Sequence, residues 1–373
     1  HGTLYLVAMS KGASGVYHQR LHAVDITTGA EEFNGPVDIQ AKYPGTGDNS
    51  SGGFVIFDPG QYTERAALLL LDGNVYIAFS SHCDARPYTG WIMGYAEGTL
   101  AQVSVLNLTP NGNKGSIWGA GAGPAAGPGG DIFLLTANGE FDETLDAQGF
   151  PANGDYGNCF MKISPAAGTL TVRDYFTMSN TDDESDADKD LGSGGAIVLP
   201  PLTDNNGMKR LLAVGAGKDK TVYVVNRGSL GKFDPNKNKI YQQIPGVLAG
   251  GVFSSPAYFN GAVYYGSVGD VIRAFPIVNA KLTIGSVTTS HVFPYPGATP
   301  SISANGSSNG IVWAASNDSA ATLWAFDAAN LSRELYNSSN VDVGPGNKFI
   351  VPTIANGKVY LATQTGVGVF GLK

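Results

Sequence analysis

"RLHAVDITTGAEEF" (residues 20–33) and "TLWAFDAANLSRELY" (322–336) follow one pattern. Each reads apolar, any residue, Ala, apolar, Asp, then a turn, then a charged step into an aromatic. Apolar residues at every second position indicate a strand. The aspartates, Asp25 and Asp327, end their strands. A short carboxylate there bonds its own backbone two residues on and caps the turn, which is a structural role. Looser copies stand at 91–105, 159–176, 222–233 and 271–282, and "GVGVFGLK" (366–373) is a shortened one.

Each copy follows a second unit with Gly, any residue, then apolar or aromatic residues: "GNVYIAFSS" (73–81), "GDIFLLTAN" (130–138), "GAVYYGSVG" (261–269), "GIVWAASND" (310–318) and "GKVYLATQT" (357–365). Ahead of three of these lies a third: "SSPAYFNG" (254–261), "TPSISANG" (299–306) and "VPTIANG" (351–357). Asn-Gly between apolar runs signals a hairpin, because both central turn residues need positive φ. The chain therefore predicts four antiparallel strands, A to D, recurring every roughly 40–70 residues, which is a propeller blade. The expected fold class is all-β: a single β-propeller domain over 1–373, with seven four-stranded antiparallel blades recognisable and the first and last incomplete. Missing edge strands would leave backbone groups unsatisfied.

Composition narrows the function classes. The 373 residues include 51 Gly and 20 Pro, only 14% are charged, and the net charge is −8. No general basic field exists for nucleic acid. The longest apolar runs, such as "AALLLL" (66–71), are too short to span a bilayer. Sequons at Asn49, Asn107, Asn305, Asn317, Asn330 and Asn337, with scarce Lys, lean towards a secreted glycoprotein, periplasmic if bacterial.

The repeat resembles that of quinoprotein-type propellers, those related to pyrroloquinoline-quinone dehydrogenases. "FDPGQYTERAALLL" (57–70), "SSHCDARPYTGW" (80–91), "TPNGNKGSIW" (109–118), "DLGSGG" (190–195) and "YPGATPSISANGSSNGIVWA" (295–314) extend the likeness to secreted pyrroloquinoline-quinone-repeat proteins. The resemblance implies the fold, a further N-terminal segment and one activity, a quinone-dependent dehydrogenase. With such an upstream segment completing it, the chain is expected to be the C-terminal part of an eight-bladed ring. Alcohol dehydrogenases of that group carry two adjacent cysteines in a ring against the quinone, beside a metal held by a carboxylate and an amide. Here Cys83 and Cys159 are far apart in sequence, no matching metal motif stands out, and haem attachment lacks its Cys-x-x-Cys-His.

Three functions remain open on the residues alone. The first is a binding or scaffold propeller for carbohydrate or protein ligands at its channel mouth. The second is a glycan lyase or hydrolase with His82 as base, Arg86 or Arg65 neutralising a carboxylate, and Tyr88 or Asp84 as acid. The third is the quinone dehydrogenase, disfavoured by its missing motifs. Ligand contact is expected from Arg65, His82, Trp91, Trp118, Asp190, Phe253 and Tyr295. Each lies in a B–C loop, in a D–A connection or at the start of an inner strand, and these positions share one face. "DADKDLG" (186–192) sets Asp186, Asp188 and Asp190 at the first, third and fifth places of a calcium loop, although Gly192 arrives one place late. A Cys83–Cys159 disulfide would staple neighbouring blades and stabilise by about 2–4 kcal/mol.

Overall fold

The computed structural model describes residues 2–119, 121–166, 168–317 and 319–371. These divide into two compact units. One runs to Gly192 and takes in Ser229–Lys239; the other comprises Ser193–Gly228 and the chain from Ile240 onward.

In the first unit, Thr3–Lys11, Tyr17–Asp25 and Val37–Asp38 form a three-stranded antiparallel sheet. Leu69–Leu71, Asn74–Ala78, Trp91–Ala96 and Gln102–Asn107 form a four-stranded one, and Ala125–Ala126, Ile132–Leu135, Cys159–Ala166 and Thr169–Thr177 another. The second unit holds three four-stranded sheets. They are Ala196–Val198, Leu212–Ala216, Val222–Asn226 and Gln242–Ile244; Ala257–Phe259, Ala262–Tyr265, Arg273–Val278 and Lys281–Leu282; and Ser301–Asn305, Ser308–Ser316, Thr322–Asp327 and Asn330–Asn337. Its last sheet is three-stranded: Thr353–Ala355, Lys358–Ala362 and Val367–Gly371. In each sheet the strands lie side by side in chain order.

The local signals act as their chemistry requires. Asp25 Oδ1 accepts the Thr27 N–H at 2.7 Å, and Asp327 Oδ1 accepts that of Ala329 at 2.8 Å. Both central residues have positive φ at Asn260–Gly261 and Asn356–Gly357. At Asn305–Gly306 only the glycine does, and a register shift between Ser303 and Asn305 absorbs the difference.

Strands such as Trp91–Ala96, Ile132–Leu135 and Leu212–Ala216 are buried on both faces, which explains why the sheets must stack. In Trp91–Ala96, Trp91, Met93 and Tyr95 enter one core with Leu21, Val55, Phe57 and Phe79. Ile92 enters the other, with Leu134, Met161 and Tyr175. One segment departs from the repeat. The outer strand expected over 229–233 is not there, and Gln242–Ile244 pairs with Val222–Asn226 instead. Residues 229–239 pack within the first unit, where Leu230 N–H donates to Asp174 at 2.7 Å and Phe233 joins the Tyr175 core.

Candidate functional site

The stretch 80–91 shows how its residues divide. Ser80–Ser81 pairs with Tyr62–Thr63, and the loop runs to the strand at Trp91. Cys83 and Asp84 both have positive φ, a tight turn that holds Cys83 exposed. His82 is exposed too, and its N–H donates to the Gln61 carbonyl at 2.7 Å. Tyr88 is 2% exposed and donates to Asp84 at 3.1 Å; burial holds its hydroxyl far above the usual range, which unsuits it as an acid. Trp91, expected on the surface, is 0% exposed and is a core residue. Its indole N–H donates to Tyr62 Oη at 3.0 Å, and its ring packs edge-on to Phe57. It opens a strand packed on both faces, so no ring surface is left for a ligand.

The expected disulfide is absent. Cys159 is fully buried, its thiol bonds the Gly157 carbonyl at 3.2 Å, and burial pushes its pKa up. Cys83 stands exposed on its turn, and both thiols are free. The calcium-loop reading also gives way. Asp186 closes a short helix, Thr181–Asp186, Asp188 accepts from the Asn138 amide at 2.8 Å, and Asp190 is 1% exposed. Among the described residues no three acidic, histidine or cysteine side chains converge on a metal position. The sequon at Asn107 is closed, because Asn107 is buried and its amide donates to Thr89.

Arg86 does belong to a site. It forms a two-pronged ion pair with Asp48, Nε to Oδ2 and Nη2 to Oδ1 at 2.7 Å each, which raises its pKa. The pair lines a cavity of about 590 Å³ in the first unit, with Thr46, Asn111, Asn113, Glu140, Asp142, Glu143, Asn153 and Asp155. Its walls are the D–A connection holding Thr46–Asp48, the B–C loop holding Arg86, the D–A connection after Asn107 and the next B–C loop. Close backbone approach makes the walls. Gly47 N–H donates to the Pro110 carbonyl and Asp48 N–H to that of Gly112. A Cβ on Gly112 would stand 2.4 Å from Glu140 Cβ and 3.3 Å from Asp155 Cγ. Asp155 is 2% exposed, and its Oδ1 accepts the N–H groups of Asn111 and Gly112 at 2.9 and 3.1 Å. Burial pushes its pKa up to about 6 against those two bonds, and the neighbouring Glu140 and Asp142 charges add to the rise.

Arg65 and Trp118 meet as well, the guanidinium carbon 4.8 Å from the indole centroid. Beside them Glu64, not singled out from sequence, has its pKa raised to about 8 by burial.

In the second unit Phe253 and Tyr295 come together, their centroids 5.4 Å apart. Phe349, also missed, completes a triad at 6.5 Å from Phe253 and 6.4 Å from Tyr295. Each ring comes from a D–A connection. Phe253 and Phe349 both stand three residues before the proline that leads into an inner strand, so the repeat itself contained the signal. Tyr295 is 46% exposed. Lys348 Nζ lies 5.0 Å from its ring centre, and Lys218 Nζ 5.7 Å from that of Phe253. Asn317 and Asn347 border the cluster, which is a platform with only a shallow cleft.

No protein-family model and no curated protein sequence matches the chain. Solved structures do. The quinohemoprotein alcohol dehydrogenase ADHIIG of Pseudomonas putida aligns at a TM-score of 0.58 and 14% identity, over 98% of this chain and 61% of that one. The chain thus spans less than two thirds of that enzyme's length. The quinohemoprotein alcohol dehydrogenase of Comamonas testosteroni aligns at 0.55 and 14%, over 95% and 70%. A 6-phosphogluconolactonase-like protein of Bacteroides uniformis aligns at 0.54 and 11%, over 100% and 93%. At such identities the likeness is one of fold: an all-β chain of four-stranded antiparallel sheets of the propeller type. The quinone expected from the resemblance does not fit these residues, because an exposed Cys83 and a strand-buried Cys159 supply no adjacent-cysteine ring. Among the described residues no helix is long and apolar enough to cross a membrane.

Proposed function

We propose that the protein is a secreted binding module on a propeller-type scaffold, and that it takes acidic carbohydrate on the Phe253–Tyr295–Phe349 platform. One observation carries this reading. Three rings from three separate connections converge beside two lysine ammonium groups. A sugar ring presents a face of C–H bonds that packs on an aromatic ring, and a uronate carboxylate pairs with an ammonium. The amides of Asn317 and Asn347 at the border suit hydroxyl groups.

Affinity electrophoresis through gels containing polygalacturonate tests it. Wild type is expected to be retarded there and not in gels of a neutral glucan, and Tyr295→Ala is expected to lose the retardation. A wild-type protein that polygalacturonate leaves unretarded, or a Tyr295→Ala variant retarded equally, overturns the reading.

A further inference from the structure

The cavity around Asp155 has no part in the uronate platform, and its chemistry is of the opposite sign. Most of its carboxylate oxygens are already engaged. Asp48 is held by Arg86 and by the Tyr88 N–H, and Asp142 accepts the N–H groups of Thr144 and Asn153. Asp155 differs. Its Oδ1 is satisfied, but among the described residues no donor reaches Oδ2, although the side chain is 2% exposed and lines the cavity. That oxygen opens to the cavity, where a donor on a ligand can reach it. Glu140, across Gly112, is exposed: its Oε2 accepts the Asn113 amide at 3.2 Å, and Oε1 faces no donor among the described residues.

We propose that this cavity binds a ligand carrying a primary ammonium group among hydroxyls, an amino sugar with a free amine. The ammonium has three donors and a full charge. It would bond Asp155 Oδ2 and Glu140 Oε1, which face each other across Gly112. A divalent cation would need a coordination sphere of converging ligands, and none forms among the described residues. The hydroxyls find the side-chain carbonyl of Asn113, whose N–H₂ is turned to Glu140, and the remaining N–H groups of Arg86. A volume of about 590 Å³ accommodates one or two sugar rings.

Electrostatics supports the same ligand. The charged groups around Asp155 are Asp48 and Arg86 from the adjoining loops and Glu140, Asp142 and Glu143 from its own. Carboxylates outnumber the one guanidinium, which is itself engaged by Asp48. Burial holds the Asp155 pKa up at about 6, the Glu140 and Asp142 charges add to the rise, and an incoming cation relieves that added repulsion. The site must therefore bind best above that pH, with Asp155 ionised.

Isothermal titration of the full chain at pH 7.5 with the glucosamine disaccharide, its N,N′-diacetyl counterpart and calcium chloride tests this. The free amine is expected to bind, and the acetylated sugar at least tenfold more weakly. Asp155→Asn keeps the shape and the Oδ1 bonds while removing the charge, and is expected to lose about tenfold. Glu140→Gln is exposed and safe for folding, and is expected to lose about threefold. Circular dichroism and the thermal midpoint confirm that both variants are folded. Equal affinity for the acetylated sugar, no binding of the amine, binding of calcium in its place, or both variants within twofold of wild type would each overturn the proposal. Retardation by polygalacturonate should be unchanged in both variants, so failure here is distinct from failure of the platform.

Discussion

The Asp155 cavity and the Tyr295 platform use equivalent places in the repeat and reach opposite chemistry. The cavity draws on two D–A connections and two B–C loops; the platform takes its three rings from D–A connections alone. The first is recessed, acidic and hydrogen-bonded. The second is exposed, aromatic and flanked by lysines. Strands such as Trp91–Ala96 and Leu212–Ala216 are packed on two faces, so their residues are held by volume and alternation. Loops at the strand ends carry no such constraint and are where chemistry diverges on a common scaffold. The difference shows that the repeat sets where a site can be, and the connections set what it binds.

The sharpest way to separate the two sites is to fill one. In Gly112→Val a branched side chain must enter space occupied by Glu140 and Asp155. We expect loss of amine binding by more than about thirtyfold and a stability cost of about 1–3 kcal/mol, with retardation by polygalacturonate unchanged. Titration calorimetry and thermal melting read both. The mirror change is Tyr295→Ala, which removes a half-exposed ring at little cost to folding. It should weaken a galacturonate oligomer by about five- to thirtyfold, or about 1–2 kcal/mol, and leave amine affinity within twofold. If either variant weakened both ligands, the sites would not be independent.

A proton offers a milder comparison. The Asp155 carboxyl titrates near pH 6 in the free protein, raised from the usual range by burial and by its acidic neighbours. Above that pH it is ionised and attracts an ammonium; below it the neutral acid does not. Amine affinity should therefore fall about tenfold between pH 7.5 and pH 5, following the fraction ionised. Asp155→Asn should abolish that dependence, which a repeat of the titration across pH would show.

How much of this was legible in the chain depends on the range of each interaction. Asp25 and Asp327 were readable as turn caps because carboxylate and donor N–H lie two residues apart. Asn260–Gly261 was readable because its conformation is its own. Trp91 was misjudged as a surface ring because it follows a polar loop. Its burial comes from Phe57, Tyr62 and Phe79, which arrive from other segments of the chain. The cysteine pairing failed for a related reason, since strand packing seals Cys159 inside while the turn at Cys83 faces outward. Asp155 sits in "PANGDYGN" (151–158) and reads as one more turn residue. Only the approach of Gly112 from another connection turns it into a buried acid. Phe349 was within reach, because its place before Pro352 matches that of Phe253 before Pro256.

The smallest effect expected concerns Lys348, and it tests whether the platform reads charge as well as shape. Its ammonium lies 5.0 Å from the Tyr295 ring centre, close enough to meet a carboxylate on a sugar stacked there. The side chain is exposed, so the pairing works in high dielectric and is worth less than about 1 kcal/mol. Lys348→Ala should weaken a galacturonate oligomer only about two- to fourfold at low salt. The chain as a whole carries a net charge of −8, so a polyanion gains nothing from the general field and depends on these local cations. Raising ionic strength from about 0.01 to 0.15 M shortens the screening length from about 30 to 8 Å. Wild-type affinity should fall with it, while that of Lys348→Ala should fall less, the two converging as salt rises. Parallel salt curves for the two proteins would mean that Lys348 takes no part and that the rings alone bind.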